Sequence, residues 1–127
     1  MHNCVNVVHV FPYTPRLCAG HSNAIRGFIA CQRANEVNAV GIAPRAHGKA
    51  PETGWEFPLV EVDSLWPLRW KTIAERCAIA PGNSVVNFHS VNRRFAPLLA
   101  DLRRAGIPYV LTSHGQLSFQ NKWRCLK

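Results

Sequence analysis

The sequence has little acid, no closely paired cysteines, no long apolar run and no glycine-rich cofactor fingerprint. Seven Asp and Glu stand against fifteen Lys and Arg in 127 residues, which gives a net charge of +8. Only one acid, Asp101, follows Arg76, whereas eight Lys and Arg lie between Arg76 and the last residue. Such an excess favours polyanions such as nucleic acid, phosphorylated ligands or an anionic membrane surface. A solvated basic face that serves solubility is the commoner explanation of any single charge cluster.

The cysteine pattern excludes two kinds of small cross-linked protein. The count is odd, the spacing is wide and no C-x-x-C occurs, so the sequence predicts neither a zinc site nor a disulfide framework. We expect most cysteines to be small buried residues in a reducing compartment. Cys18 falls in a predicted loop without an evident basic partner, and we do not predict a nucleophile there. We expect no metal and no other cofactor.

The chain also lacks apolar stretches of membrane-spanning length. No uninterrupted apolar run approaches the roughly 20 residues that cross a bilayer, and the first residues show no basic leader with a long apolar segment. We therefore expect a cytoplasmic protein, or one on the inner face of the membrane. A hydrophobic content of 47% with 17% charged residues is typical of a globular protein, and the length predicts one domain over residues 1–127.

Strand and helix patterns alternate from end to end. This order predicts an α/β, Rossmann-like parallel sheet with helices on both faces, in strand order 3-2-1-4-5. β-Branched and apolar runs predict five strands: Val5–Phe11, Glu36–Ile42, Phe57–Val62, Val85–His89 and Tyr109–Thr112, the last of them buried. Helices are predicted from about Ser22, up to about Cys77, from about Arg93 and again from Ser118.

Local signals place the helix ends. Ser22 is the predicted N-cap of the first helix and Asn35 its left-handed end, with a buried face formed by Ile25, Phe28 and Ile29. In the third helix the predicted buried positions are Phe95, Leu98, Leu99 and Leu102. Pro97 must lie in its first turn and Gly106 just past its end.

Three segments should meet where the parallel strands end. They are the loop Pro12–Gly20, the pair His89-Ser90, and Ser113-His114-Gly115, and ligands in open α/β sheets bind at this edge. The loop that ends at Gly20 and the helix start after it present free N–H groups that suit a phosphate or carboxylate, although the loop could simply close over the sheet. His89 either contacts a ligand or satisfies a buried turn, and we interpret His9 as a core histidine. Arg16 is a further candidate for an anionic group, with a solvated role as its alternative.

Several of these motifs together resemble a known family. They are Val-Val-His-Val-Phe with a loop ending at Gly20, then Asn87-Phe88-His89-Ser90, then Gly-Ile-Pro-Tyr-Val before Ser113-His114-Gly115. The chain resembles the N-terminal domain of glycosyltransferase family 4, whose members are retaining enzymes of the GT-B fold. The likeness covers nearly the whole chain. It departs from the family at Ala19-Gly20, where two glycines are usual.

The resemblance implies an acceptor-side domain that works with a C-terminal, donor-binding domain. It implies a catalytic role for His114 near the transferred sugar, with Gly20, Arg16, His89, Ser90, Ser113 and Gly115 as substrate-binding residues. The partners implied are a nucleotide-sugar donor and a glycan or lipid-linked acceptor in polysaccharide or cell-envelope biosynthesis. The family's paired glutamates of the C-terminal domain are absent from these 127 residues. We therefore expect a truncated chain that is inactive alone.

Two further hypotheses concern surfaces. Leu65–Lys71 holds two tryptophans beside Arg69 and Lys71, which suits an anionic membrane interface if exposed, or packing under the preceding loop if not. The alternative function is a stand-alone basic α/β module that binds nucleic acid or another polyanion. No exposed aromatic residues are interleaved with the basic residues Arg93, Arg94, Arg103 and Arg104, and no nucleic-acid motif occurs. We therefore do not expect nucleic acid as a partner.

Overall fold

Strands and helices alternate along the chain, as predicted. A computed structural model describes residues 4–13, 19–45 and 55–113. The elements in these residues are β1 (Asn6–Val10), α1 (Ala19–Ala34), β2 (Asn38–Pro44), β3 (Leu59–Val62), α2 (Trp70–Cys77), β4 (Ser84–Phe88), α3 (Ala96–Ala105) and β5 (Tyr109–Leu111). Two short 3₁₀ turns, Pro81–Asn83 and Arg93–Phe95, precede β4 and α3.

All five strands belong to one parallel sheet in the order β3-β2-β1-β4-β5. The predicted strand order is therefore confirmed. Successive strands are added on one side of β1 up to β3 and on its other side from β4 onward, so the strand order reverses between β1 and β4. The register of these two strands pairs His9 with Asn87 and Val10 with Phe88. In doubly wound sheets this switch point opens a crevice at the carboxyl ends of the strands.

The sheet face under α2 and α3 carries the larger apolar core. Even-numbered positions of β1 and β4 point to it, and α2 and α3 supply its other half. Its buried members include Val8, Val10, Ile42, Trp70, Ile73, Val86, Phe88, Phe95, Leu98 and Leu102. Alternation of side chains in a strand sends the odd positions to the other face.

The opposite face is covered by α1 and holds a smaller cluster. Ile25 and Ile29 of α1 are completely buried there against Phe11 and the alanines of β2. Phe28 was predicted on the same buried face, and that prediction is wrong, because its side chain is 49% exposed. It lies on the flank of α1 that faces β4, where no described helix covers the sheet.

The ends of α1 differ by a few residues from the predicted ones. The helix begins at Ala19, so Ser22 lies within its first turn and the predicted N-cap at Ser22 is wrong. The left-handed residue is Glu36, with φ of 62°, and not Asn35. Glu36 N–H donates to the carbonyl of Arg33 and Val37 N–H to that of Gln32, which is a Schellman ending.

The ends of α3 agree with prediction. Pro97 lies in its first turn, and Gly106 adopts the left-handed conformation at its end. On its exposed side Asp101 accepts two hydrogen bonds from Arg69 and one from the Trp70 N–H, the first residue of α2. Burial alone would raise the pKa of Asp101, but these bonds and that from Arg104 hold its pKa below the ordinary value. This carboxylate ties the start of α2 to α3.

The last described strand is exposed, and the prediction that it is buried is wrong. Tyr109, Val110 and Leu111 are 38%, 51% and 47% exposed. β5 has β4 on one side and no described strand on the other. β5 is exposed because it lies at the edge of the sheet and no described helix covers it. A strand pattern in the sequence does not specify the neighbouring elements that would bury the strand.

Candidate functional site

The predicted site residues fall into three groups. His89 and Ser90 follow β4 directly and are buried, whereas Ser113 lies half-buried after β5. Gly20 is the second residue of α1. Arg16, His114 and Gly115 lie outside the described residues. The carboxyl edge therefore brings together the segments after β4 and β5 beside the end of β1.

Two buried histidines meet at the switch point. His9 and His89 are both completely buried, their rings stack with centroids 5.0 Å apart, and His9 Nδ1 lies 2.7 Å from His89 Nε2. The backbone fixes this approach, since His89 N–H donates to the Val10 carbonyl at 3.1 Å. His9 is a core histidine, as interpreted from the sequence, and its partner is the residue considered for ligand contact.

Gln32 extends the pair and sets its tautomers. Its Oε1 lies 2.6 Å from His9 Nε2, and a carbonyl oxygen can only accept. His9 therefore carries its proton on Nε2 and accepts at Nδ1 from the Nε2–H of His89. The Schellman ending of α1 holds Gln32 in place. Burial lowers the pKa of His9 below its ordinary value, and the Gln32 hydrogen bond only partly offsets this effect, so burial favours the neutral form of His9.

Aromatic rings enclose the histidine pair. Phe28 stacks on His89 with centroids 6.2 Å apart, and Phe11 lies 6.4 Å from it in a tilted arrangement. Since Phe28 is half-exposed, it separates the buried imidazoles from solvent as a single aromatic layer. A ligand on this face would contact Phe28 before it could reach His89.

Beside Phe28 no helix among the described residues covers the sheet. Asn87 and Val110 share a row in β4 and β5 on the α1 side, and Thr112 Oγ1 donates to Asn87 Oδ1 at 2.9 Å. Asn87 and Thr112 are half-buried. Together with exposed Val110 they make a shallow floor, partly polar and partly apolar, next to the histidine pair. We call Phe28, Asn87, Val110, Thr112 and Ser113 the open floor.

The tryptophan segment divides into a buried part and an exposed residue. Leu65, Leu68 and Trp70 pack in the core under α2, whereas Trp66 is 54% exposed. Packing therefore accounts for most of this segment, and Trp66 alone retains the surface position that membrane contact would need. No helix among the described residues combines the length and apolarity needed to cross a bilayer.

Sequence reasoning missed the partners of His89. His9, Gln32 and Phe28 were not assigned to the site, although strand order held the necessary signal. Once β1 and β4 are neighbours, His9 and His89 fall on odd positions of adjacent strands and so share the α1 face. Within the described ranges, no group of three His, Cys, Asp or Glu has the geometry of a metal site.

Fold and site define an open, doubly wound α/β domain with a polar, histidine-bearing switch point. No protein-family model matches the chain, no curated protein matches it, and no solved structure matches it.

Proposed function

We propose that the chain is the acceptor-side domain of a glycosyltransferase of the retaining GT-B type. In this proposal a sugar passes from a nucleotide-sugar donor to a glycan or lipid-linked acceptor in polysaccharide or cell-envelope biosynthesis, at the cytoplasmic side of the membrane. A second, donor-binding α/β domain would complete the enzyme. Neither a metal nor another cofactor is proposed.

One observation carries the proposal beyond the sequence resemblance. The switch point of the sheet holds the histidine pair, and the half-exposed Phe28 covers it beside the open floor. Aromatic rings next to amide and hydroxyl groups suit a sugar, whose ring has both apolar C–H faces and polar hydroxyls. This combination of aromatic rings with uncharged polar groups therefore supports an acceptor glycan better than a fully charged ligand.

The chemistry required of such a domain is positioning and charge stabilisation. When a nucleotide diphosphate leaves, negative charge develops on it, and oriented dipoles and cations stabilise that charge. The acceptor must meanwhile be held in line with the reacting carbon, which a rigid binding surface achieves. In this proposal the open floor holds the acceptor, and His114 would act at the reacting centre.

Direct binding to the 127-residue chain tests the proposal. We expect saturation-transfer NMR and calorimetry to detect a lipid-linked acceptor, farnesyl diphosphate N-acetylglucosamine, and to detect UDP-glucose more weakly. Phe28→Ala should weaken acceptor binding about tenfold, the order of one lost aromatic contact. Lys71→Ala, an exposed change on α2, is the matched control and should have no effect.

Two results would contradict the proposal: absence of any sugar binding, or acceptor binding that Phe28→Ala leaves unchanged in a variant that still folds. Circular dichroism of both variants checks the fold. The second candidate function, a basic module for polyanions, is favoured by Arg93 and Arg94, which form no salt bridge among the described residues. Salt-sensitive oligonucleotide binding in place of sugar binding would support it.

A further inference from the structure

A cavity opens between the loop before α2 and the turn before α3. Its volume is about 540 Å³, and the described residues that line it are Trp66, Arg93, Arg94 and Ala96. It lies beside the α2–α3 layer, whereas the histidine pair lies on the α1 side. The proposed glycosyltransferase role does not use it. We infer that this cavity is a binding site for an organic phosphate that carries a flat ring.

The two arginines supply the anion-binding half. Most other described arginines have partners: Arg26, Arg45, Arg69 and Arg104 each lie within 4 Å of a carboxylate. Arg93 and Arg94 form no such pair among the described residues, and both are exposed. Arg76 and Arg103 are also unpaired there, but neither lines the cavity that holds Trp66.

Arg93 and Arg94 line the same cavity, and an anion bound there would offset their positive charges. Each guanidinium offers a planar fork of N–H donors that matches two oxygens of a phosphate. The backbone that carries them is ordered, because Asn92 Oδ1 accepts from the Arg94 N–H at 2.9 Å. The pair is therefore presented from a fixed turn and not from a free loop.

Trp66 supplies the ring-binding half. Its side chain is 54% exposed, although a large aromatic residue is usually well buried. Ser64 Oγ accepts from the Trp66 N–H at 3.1 Å and donates to the Trp66 carbonyl at 2.8 Å. The indole is thus held on a hydrogen-bonded turn with an accessible surface. Such a surface stacks on the face of a sugar ring or a nucleobase.

Ring and phosphate contacts in one cavity define the ligand class. A cavity of about 540 Å³ lies in the usual range for small-molecule sites, roughly 300–1,000 Å³. A sugar phosphate and a nucleoside monophosphate share the required chemistry. The inference is independent of the proposed glycosyltransferase role, since no residue of the open floor takes part in it.

Calorimetry with four probes on the full chain tests the site. We expect glucose 1-phosphate or UMP to bind, inorganic phosphate to bind about tenfold more weakly, and glucose alone not to bind. Whichever of the first two binds more tightly identifies the source of the phosphate. Arg93→Ala and Arg94→Ala should each lower affinity for the ringed phosphate at least tenfold, since each removes a charge-assisted contact.

Trp66→Ala separates the two halves of the site. It should abolish the advantage of the ringed phosphate over inorganic phosphate while inorganic phosphate binds as before. Arg76→Ala is the matched control, an exposed arginine of α2 outside the cavity, and should change affinity less than twofold. Thermal melts of each variant confirm that it folds.

Three outcomes would overturn the inference. In the first, neither glucose 1-phosphate nor UMP binds. In the second, Arg76→Ala weakens binding as much as Arg93→Ala, which would mean diffuse attraction to a basic surface. In the third, the chain binds phosphatidylglycerol vesicles through Trp66 and the arginines but none of the soluble probes, which would make this surface a membrane contact. Loss of acceptor binding in Phe28→Ala, with phosphate binding intact, would keep this site separate from the proposed function.

Discussion

The two faces of the sheet are built from the same strands but carry different chemistry. Under α2 and α3 the even positions of β1 and β4 begin with Asn6 and Ser84 and continue as valines and Phe88. These valines and Phe88 have at most 5% exposure and belong to a continuous apolar core. Under α1 the odd positions of those strands include His9 and Asn87, and His89 follows directly after β4. The apolar face stabilises the fold by burial of hydrophobic side chains. The α1 face holds polar groups, and burial of a polar group costs free energy unless it forms hydrogen bonds.

This difference indicates where a function can lie without cost to the fold. The apolar face tolerates little change, since every side chain there fills space against a helix. On the α1 face, α1 does not extend over β5, and polar residues of neighbouring strands form hydrogen bonds with one another. Substitutions on the two faces should therefore differ in size and in pH dependence.

The largest effect is expected on the apolar face. Phe88 is completely buried, and its ring packs 4.8 Å from that of Phe95 and 6.3 Å from that of Tyr109. Phe88→Ala should lower the free energy of unfolding by about 3–5 kcal/mol, because it removes a large apolar group and leaves a cavity. Urea denaturation measures the change.

Phe28→Ala is the matched control on the α1 face. The same truncation at a half-exposed ring should lower the free energy of unfolding by less than about half as much, since less apolar area is lost. If Phe88→Ala and Phe28→Ala lowered the free energy of unfolding equally, the two faces of the sheet would contribute equally to stability, contrary to the difference described above.

The sequence predicted the sheet well because the signals for it are local. Alternating apolar runs, Pro97 and Gly106 each act within a few residues, and their positions agree with the structure. Exposure of Phe28 and of β5 could not be predicted in this way. A helical or strand period shows that a face is apolar, but not whether another element covers it.

The candidate site shows the same limit. His89 was recognised because it follows a strand at the binding edge of the sheet. Its hydrogen bond to His9 joins residues 80 positions apart, and Gln32 reaches them from α1. Such contacts depend on strand order and helix orientation together, so they become visible only after both are known.

A pH-dependent effect of intermediate size is expected at the histidine pair. His9→Leu should lower the free energy of unfolding by about 1–3 kcal/mol above pH 6.5, since it leaves the His89 and Gln32 groups without their buried partner. The folded pKa of His9 lies below its unfolded value. The unfolded chain therefore binds more protons between those two values, and the wild-type chain loses stability as pH falls through that window.

The difference between wild type and His9→Leu should accordingly shrink as pH falls below 6.5. Urea denaturation of both chains over a pH series measures it. A gap that stays constant, or grows, at lower pH would mean that His9 is not a neutral, buried member of the pair.

The smallest effect is expected at the edge of the open floor. Thr112→Val replaces the hydroxyl that donates to Asn87 with a methyl group of the same shape, and should lower the free energy of unfolding by about 0.5–1.5 kcal/mol. The loss stays small because both side chains are half-buried and water can replace the missing donor. Thr112→Ser keeps the hydroxyl and serves as the control.

Thermal and urea unfolding of these two variants show whether β5 is attached weakly to the edge of the sheet or contributes to stability as much as β4. A loss above about 3 kcal/mol in Thr112→Val would exceed what one neutral hydrogen bond contributes. It would mean that β5 is as firmly integrated as β4, and that the α1 face is closed over both strands. A small loss, restored by Thr112→Ser, would leave the open floor accessible beside the histidine pair, as acceptor binding there requires.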